Sequence, residues 1–369
     1  MDKSKLAING GSKAIDGFEG KGNPKIGHEE LLEMADTWGY PPEIIEEIRK
    51  IVEKVSIGPS LVHYNNPKSK ATEMENLVCK LFDVKNVMGV SSGTAALHTA
   101  YVAADIGCGD EVLVPGFTFA ATAMAIVVAR AVPIFCEIDE SMTIDPADIE
   151  RKITPRTKAI APVHMSGYVC NMEAIMDIAK RHKLLVIEDC AQSCGARFKG
   201  KRVGTIGNIG CFSISSYKVT GGGESGLVMT DDDKLFARAQ GWAESGGLWR
   251  PDRFAPARWM GELFSGVNYR MSELEGTVEL VQFRKMEAQL DRWRKTKKLI
   301  MSNVPAYKEL RPRVIHDIDG EMGYSVGFFG RTAEEAEQLA SAISAEGVGA
   351  GTRGRSKSPD WHYYQHMEM

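Results

Sequence analysis

The amino-acid sequence predicts an α/β protein: a mixed, mostly parallel sheet flanked by helices, followed by a smaller C-terminal α+β region. Two observations carry this expectation. From residue 87 onward, short apolar runs alternate with stretches of helical spacing. The runs are apolar throughout rather than on alternate positions, as strands are when helices cover both faces of a sheet. Composition agrees, since 43% hydrophobic and 25% charged residues over 369 positions suit a globular chain of two or three domains, or of one large domain with an appendage. The expected division is an N-terminal surface segment over 1–40, a large domain over 41–265 and a small domain over 266–369.

Taken in order, residues 41–55 carry helical spacing, with Pro41 or Pro42 in the first turn where a missing N–H does no harm. Residues 72–82 form a second helix, and Thr72 with Glu75 has the spacing of a capping box. Strands are expected at 111–114, 132–139, 158–164, 184–189, 211–216 and 226–230, with helices at 118–130 and after Asn171, a capping residue. Ser272 and Glu275 make the capping box of a long helix reaching about Asn303, whose apolar stripe begins with Leu274, Val278 and Val281. A strand near 324–329 and a helix over 333–346 complete the small domain. A further element starts at 360–364, five residues before the chain stops, and the C-terminus is expected to be incomplete.

Charge and targeting exclude several classes. Lys and Arg number 45 against 49 Asp and Glu, so no whole-chain basic field exists to hold a nucleic acid. A local basic patch could still take a phosphorylated small molecule. No signal-peptide-like apolar stretch follows the N-terminus, and the longest apolar run, 119–129, falls short of the roughly 20 residues that span a bilayer. The seven cysteines are odd in number and contain no Cys-x-x-Cys pair, which argues against a disulfide framework or a structural zinc site; Cys190 and Cys194 read as small core residues rather than metal ligands. A cytoplasmic location is expected.

Four local features suit one kind of site. Residues 91–97, Ser-Ser-Gly-Thr-Ala-Ala-Leu, form a small-residue turn into an apolar helix, either a plain N-cap or an anion cradle. Glu188 and Asp189 close a buried strand, where ligands of an open α/β sheet sit; either could instead cap the next turn. Lys218 lies between a strand and a Gly-rich loop, and a lysine among apolar walls has a depressed pKa and can act as a nucleophile. Asn268 and Arg270 precede the long helix, in a surface turn or at an anion. Together these suggest a pyridoxal phosphate site: a lysine for the aldehyde, a carboxylate for the ring nitrogen, donors for the phosphate and an aromatic for the ring. Phe117 and Phe119 are available for stacking or for the core. No Gly-x-Gly-x-x-Gly follows a first strand, which argues against a nicotinamide oxidoreductase.

On these residues the sequence resembles the DegT/StrS family of sugar aminotransferases. Matching stretches are Ser-Gly-Thr-Ala-Ala-Leu at 92–97, Gly-Asp-Glu-Val-Leu-Val-Pro at 109–115, Phe-Thr-Phe-Ala-Ala-Thr at 117–122 and Pro-Val-His at 162–164. Glu-Asp-Cys-Ala-Gln at 188–192, Lys218 with Gly-Glu-Ser-Gly at 223–226, and Asn-Tyr-Arg-Met at 268–271 complete the set. The resemblance implies the pyridoxal-phosphate-dependent transferase fold type I, that of aspartate aminotransferase. It implies that Lys218 bonds the cofactor aldehyde and shuttles the proton, and that Asp189 keeps the ring nitrogen protonated. Gln192 corresponds to the partner of the phenolic oxygen, Gly93, Thr94 and Ser213 to phosphate ligands, and Phe119 to the stacking aromatic. Asn268 corresponds to a phosphate ligand from a neighbouring subunit, which implies a homodimer with shared sites. His164 matches a position near the cofactor.

Some positions depart from the family pattern. Ser225 stands where the family usually has glycine, and Cys190 and Ser193-Cys194 replace a common Ala and Ser-His. The expected activity is amino transfer from glutamate or glutamine to a keto sugar, nucleotide-linked, or to a cyclitol. A dehydratase-like relative would carry histidine in place of Lys218, and a non-catalytic cofactor binder is the other alternative. Substrate contacts are expected from loops at 57–66 and 242–258, and the basic, aromatic run 249–253 is either a surface loop or a phosphosugar contact.

Overall fold

The computed structural model describes residues 5–12, 25–57, 61, 68–246, 265–304, 308–353 and 360–367. The chain divides into two compact units, Met1–Leu61 and Val62–Met369. Among its described residues the first carries the α-helices α1 (His28–Thr37) and α2 (Pro42–Val52). Glu30 Oε2 accepts from the Gly27 N–H at 2.7 Å to start α1, a helix inside the stretch read as a surface segment. Pro42 opens α2, as expected from its missing N–H.

The second unit is built on a seven-stranded sheet. In chain order its elements are α3 (Lys70–Phe82), β1 (Asn86–Val90), α4 (Gly93–Ala103), β2 (Glu111–Pro115), α5 (Ala121–Val128), β3 (Val132–Cys136) and α6 (Pro146–Lys152). Then come β4 (Thr157–Ile160), α7 (Met172–His182), β5 (Leu185–Asp189), the short strands β6 (Arg197–Phe198) and β7 (Lys201–Arg202), β8 (Ile209–Ser213), β9 (Gly226–Thr230) and α8 (Asp233–Ala243). The long helix α9 (Glu273–Asn303), β10 (Leu310–Pro312), β11 (Phe328–Gly330) and α10 (Ala333–Ala345) follow. The strand order is β1-β9-β8-β5-β4-β2-β3. All neighbours are parallel except that β9 runs against both β1 and β8.

Strand alternation divides the core between the two faces of this sheet. Leu113, Val186, Phe212, Leu227 and Met229 face one way, against Met74, Val78, Phe82 and Ile175 and against Phe283 and Met286 of α9. Val112, Val114, Ile187 and Val228 face the other way, against Leu97, Tyr101, Ile126 and Phe236. Each such side chain contributes about 1.5–3 kcal/mol through burial. Gly276 brings α9 close to α3: a Cβ there would lie 2.6 Å from the Ala71 Cα.

Three local expectations are corrected. The cap of α3 is Ser69, whose hydroxyl accepts from the Thr72 N–H at 3.0 Å, whereas Glu75 accepts from the Gly89 N–H at 2.8 Å. A buried backbone donor in β1 outcompetes the local box for that carboxylate. The helix expected at 118 begins at Ala121, because Thr118 and Phe119 remain in the turn after β2. On α9, the Ser272–Glu275 box forms, but Leu274 and Val281 are exposed and the buried face is Gly276, Leu280, Phe283, Met286 and Leu290.

Candidate active site

The crevice lies at the carboxyl ends of the central strands, where Glu188 and Asp189 close β5. Being consecutive in a strand, they point to opposite faces. Glu188, fully buried, accepts from the N–H groups of Gly204 (2.8 Å), Ile206 (2.8 Å) and Gly207 (2.6 Å) and pairs with His164 Nε2 at 3.1 Å. His164 Nδ1 in turn accepts from the Cys170 N–H at 3.2 Å, so its proton sits on Nε2. His164, Glu188 and Cys190 bring their ligand-type atoms within 4.8 Å of one another, but the Glu188 carboxylate is already saturated by donors. That trio braces the strand end.

Asp189 has the opposite character. Thr122 Oγ1 donates to its Oδ2 at 2.7 Å and the Ala191 N–H to its Oδ1 at 3.0 Å, so each oxygen keeps an acceptor position. Burial raises its pKa, against the pull of those two bonds and of Lys218. A buried carboxylate with open lone pairs calls for a cationic or N–H partner.

Beside it, α4 begins at Gly93. Ser92 Oγ accepts from the Ala95 N–H at 3.0 Å, which leaves the N–H groups of Gly93 and Thr94 outside the helical ladder. Ser213 ends β8 against this turn: a Cβ on Gly93 would lie 2.7 Å from the Ser213 Cβ. Glycine therefore lets the helix start pack flush on Ser213, which sets two backbone donors near a hydroxyl-bearing residue, a combination that suits a phosphate.

Lys218 follows β8. It lines a cavity of about 290 Å³ together with Gln192, Ser193, Cys194, Trp293, Met322 and Tyr324. Burial among these walls lowers its pKa, while Asp189 and Glu224 push it back up. Gln192 Oε1 accepts from the Ser166 N–H at 3.0 Å, which orients the amide so that its Nε2 donors are presented separately. A second cavity, of about 690 Å³, continues past Tyr217, Lys218 and Trp293 to Arg284, Lys285 and Arg292 on α9.

Of the two aromatic candidates, Phe117 is buried against Val163 and Met165, whereas Phe119 is 52% exposed, its carbonyl bonded to Thr122 Oγ1 at 3.2 Å. Phe119 thus stands at the Asp189 side of the crevice. Residues 360–367 dock on this turn, with the Thr118 N–H donating to the His362 carbonyl at 2.9 Å. Asn268 is exposed and does not line the Lys218 cavity. Its segment is fixed to α4 through Tyr269, whose hydroxyl lies 3.0 Å from His98 Nδ1 and whose carbonyl accepts from the Ser91 N–H at 2.8 Å. The residues 58–60, 62–67 and 247–264 lie outside the described residues, and with them most of the two substrate loops expected from the sequence. Thr122, Ser166, Trp293, Met322 and Tyr324 are site residues to which the sequence reading gave no role.

This donor set fits pyridoxal phosphate: backbone N–H groups at Gly93 and Thr94 left outside the helical ladder beside Ser213, a buried carboxylate with free lone pairs, and a lysine of lowered pKa that feels the charge of that carboxylate. The model of the DegT/DnrJ/EryC1/StrS aminotransferase family matches residues 42–359. The chain belongs to that family. With the DegT/DnrJ/EryC1/StrS family come the fold type I architecture and pyridoxal phosphate as cofactor. The chain is 38% identical over 224 residues to the GDP-perosamine synthase of Caulobacter vibrioides, covering 59% of this chain and 57% of that relative. It therefore spans little more than half the length of that protein. To the L-glutamine:2-deoxy-scyllo-inosose aminotransferase of Micromonospora echinospora it is 34% identical over 301 residues, 78% of this chain and 70% of the relative. Among solved structures, S. venezuelae DesV in complex with a ketimine intermediate superposes with a TM-score of 0.69 at 26% identity, covering 88% of this chain and 81% of that one. No helix among the described residues is long and apolar enough to cross a membrane.

Proposed function

We propose that this chain is a cytoplasmic, homodimeric sugar aminotransferase that moves an amino group from glutamate or glutamine to a nucleotide-linked keto sugar or a cyclitol. One observation carries the reading: the buried Asp189, each oxygen with an open acceptor position, electrostatically coupled to Lys218 at the cavity wall. When bound, pyridoxal phosphate supplies an aldehyde carbon and a ring that accepts electrons as an amino group is exchanged.

The chain's own residues have distinct tasks. Lys218, its pKa lowered by burial, offers its amine as nucleophile and then as proton carrier. Asp189 holds a proton at the ring nitrogen, its carboxylate charge kept in place by Thr122 and Ala191. Gly93, Thr94 and Ser213 bind the phosphate, Gln192 the phenolic oxygen, and Phe119 covers the ring. Asn268, exposed and away from the Lys218 cavity, reaches the phosphate of a second copy. Arg284, Lys285 and Arg292 in the adjoining cavity suit a substrate with its own phosphates, and the names of two relatives, a GDP-perosamine synthase and an L-glutamine:2-deoxy-scyllo-inosose aminotransferase, support a nucleotide-linked sugar or a cyclitol.

The test is the absorption spectrum of the purified chain with added pyridoxal phosphate, before and after L-glutamate or L-glutamine. A yellow band that bleaches with donor is expected, and K218A should lose it and at least about a thousandfold of the transamination rate. A band indifferent to both donors favours the dehydratase-like or binding-only alternatives. Transamination at the normal rate by K218A would refute the assignment.

A further inference from the structure

The loop after Lys218 is fastened from beneath by a carboxyl group that has no part in the site described above. Glu279 of α9 is completely buried, and among the described residues its Oε2 has no hydrogen-bond partner. Its Oε1 lies 3.3 Å from Ser225 Oγ, which is also buried and also 3.3 Å from the Ile214 carbonyl. Gly222 gives the carboxyl room, since a Cβ there would sit 2.7 Å from Oε1. Ser225 is the residue at which this chain departs from the expected glycine, so the contact depends on that departure.

Ile214 begins the segment that presents the lysine. The Ile214 N–H donates to the Ser225 carbonyl (2.9 Å), the Lys218 N–H to that of Ser215 (2.8 Å), and the Ser216 N–H to that of Gly223 (2.9 Å). The Ser225 hydroxyl has one proton for two acceptors. If Glu279 is ionised, that proton goes to Oε1 and the buried charge is otherwise scarcely compensated. If Glu279 is neutral, its own proton goes to Ser225 Oγ and the serine proton to the Ile214 carbonyl, a continuous chain.

We propose that Glu279 is a positioning residue for Lys218, latching residues 214–225 as the neutral acid through Ser225 to the Ile214 carbonyl. Its relevance to catalysis rests on the role assigned to Lys218; the latch itself does not. Burial pushes the Glu279 carboxyl up to about 8, with Ser225 and the Gly222 N–H opposing only in part. The titratable groups that bear on it are Glu275 on its own helix and the Cys194 thiol on the turn after β5. Glu224, on the loop, is exposed, and Glu75, on the packed helix α3, is engaged by the Gly89 N–H. None of these four is a cation.

The sign follows from linkage. An opened loop returns the carboxyl to its ordinary value of 4.5, against about 8 when latched. The opening equilibrium should therefore rise by up to about tenfold per pH unit through that window and level off above it. The experiment is hydrogen exchange of peptides covering 214–226 in the cofactor-free full chain, from about pH 5.5 to about pH 9, each rate divided by its intrinsic chemical rate. Expected is a rise of at least about tenfold up to pH 8 and a plateau beyond, absent from peptides of β2 and β4, with E279Q holding low-pH protection throughout. A flat wild-type profile overturns the proposal, as does a slope that survives in E279Q. The wild-type profile decides even if E279Q does not fold. S225A, which cuts the relay, should exchange severalfold faster at the lowest pH, and unchanged exchange there also overturns it. Because the measurement uses neither cofactor nor Lys218, it can fail or succeed independently of the K218A spectrum.

Discussion

The turn after β5 and the loop after β8 face each other across the crevice and are built on opposite principles. The β5 turn is fastened at nearly every step: Asp189 bonds Pro162 and His164 through its backbone, Cys190 bonds Cys211, and Glu188 gathers three N–H groups beneath. The β8 loop contains three successive glycines and an exposed Tyr217, bonds mainly to itself through its backbone, and meets a buried carboxyl of α9 at Ser225. The contrast matches the work proposed for each. A carboxylate that stabilises charge acts best when it does not move, whereas a lysine that must leave one partner and carry a proton needs a segment with slack. Electrostatics ties the two together, since burial raises Asp189 and lowers Lys218 while each pulls the other back.

The comparison breaks first at Asp189. D189N keeps the shape and both donors' neighbours but cannot hold charge opposite a protonated ring nitrogen. Steady-state transamination should fall about 10²–10³-fold, as when other preorganised electrostatic groups are removed. A wild-type rate in D189N would mean that the fixed side of the crevice contributes shape alone.

One residue earlier the same change should act on stability instead. E188Q places an amide NH₂ where Gly204, Ile206, Gly207 and His164 all donate, leaving at least one buried donor without an acceptor. That costs about 2–3 kcal/mol, read as a lower midpoint in urea or thermal unfolding, with the rate per folded molecule changed far less than in D189N. A large kinetic loss with normal stability would move Glu188 into the chemistry and erase the distinction between the two carboxylates.

That distinction shows how far a sequence can be read here. Strands apolar on both faces revealed the parallel sheet, and strand ends revealed the crevice, but residue pattern alone leaves open which of the two carboxylates faces it, and only the family resemblance points to Asp189. Strand alternation settles their opposite faces, and only the donors at 204–207 show which face is saturated. Glu75 had the spacing of a cap partner and was taken by a backbone N–H of β1 instead. Glu279 and Gly276 interrupt any apolar stripe on α9, so hydrophobic periodicity placed the buried face at Leu274 and Val281, which are exposed. Trp293, Met322 and Tyr324 reach the Lys218 cavity from elements far along the chain, a tertiary contact with no local signal. Polar groups inside the core are where pattern gives out, because they are chosen by partners rather than by period.

Thr122 is the finest test of the fixed side. T122V is nearly isosteric; it removes the 2.7 Å donor to Asp189 Oδ2 and the 2.6 Å contact with Thr118 Oγ1, which keeps the Phe119 carbonyl as a partner at 3.3 Å. Asp189 would then keep the Ala191 N–H as its hydrogen-bond donor, with Lys218 acting only through its charge. Because the Thr122 bond lowers the Asp189 pKa, losing it raises that pKa further, so the acid limb of the kcat/KM profile should move to higher pH. A hydrogen bond to a charged group contributes about 1.5–3 kcal/mol at most and a typical one about 1, so the plateau rate should fall about three- to tenfold. T122S should restore both the limb and the plateau. If T122V lowers the rate without moving the limb, the hydroxyl shapes the turn that presents Phe119 and leaves the charge on Asp189 untouched.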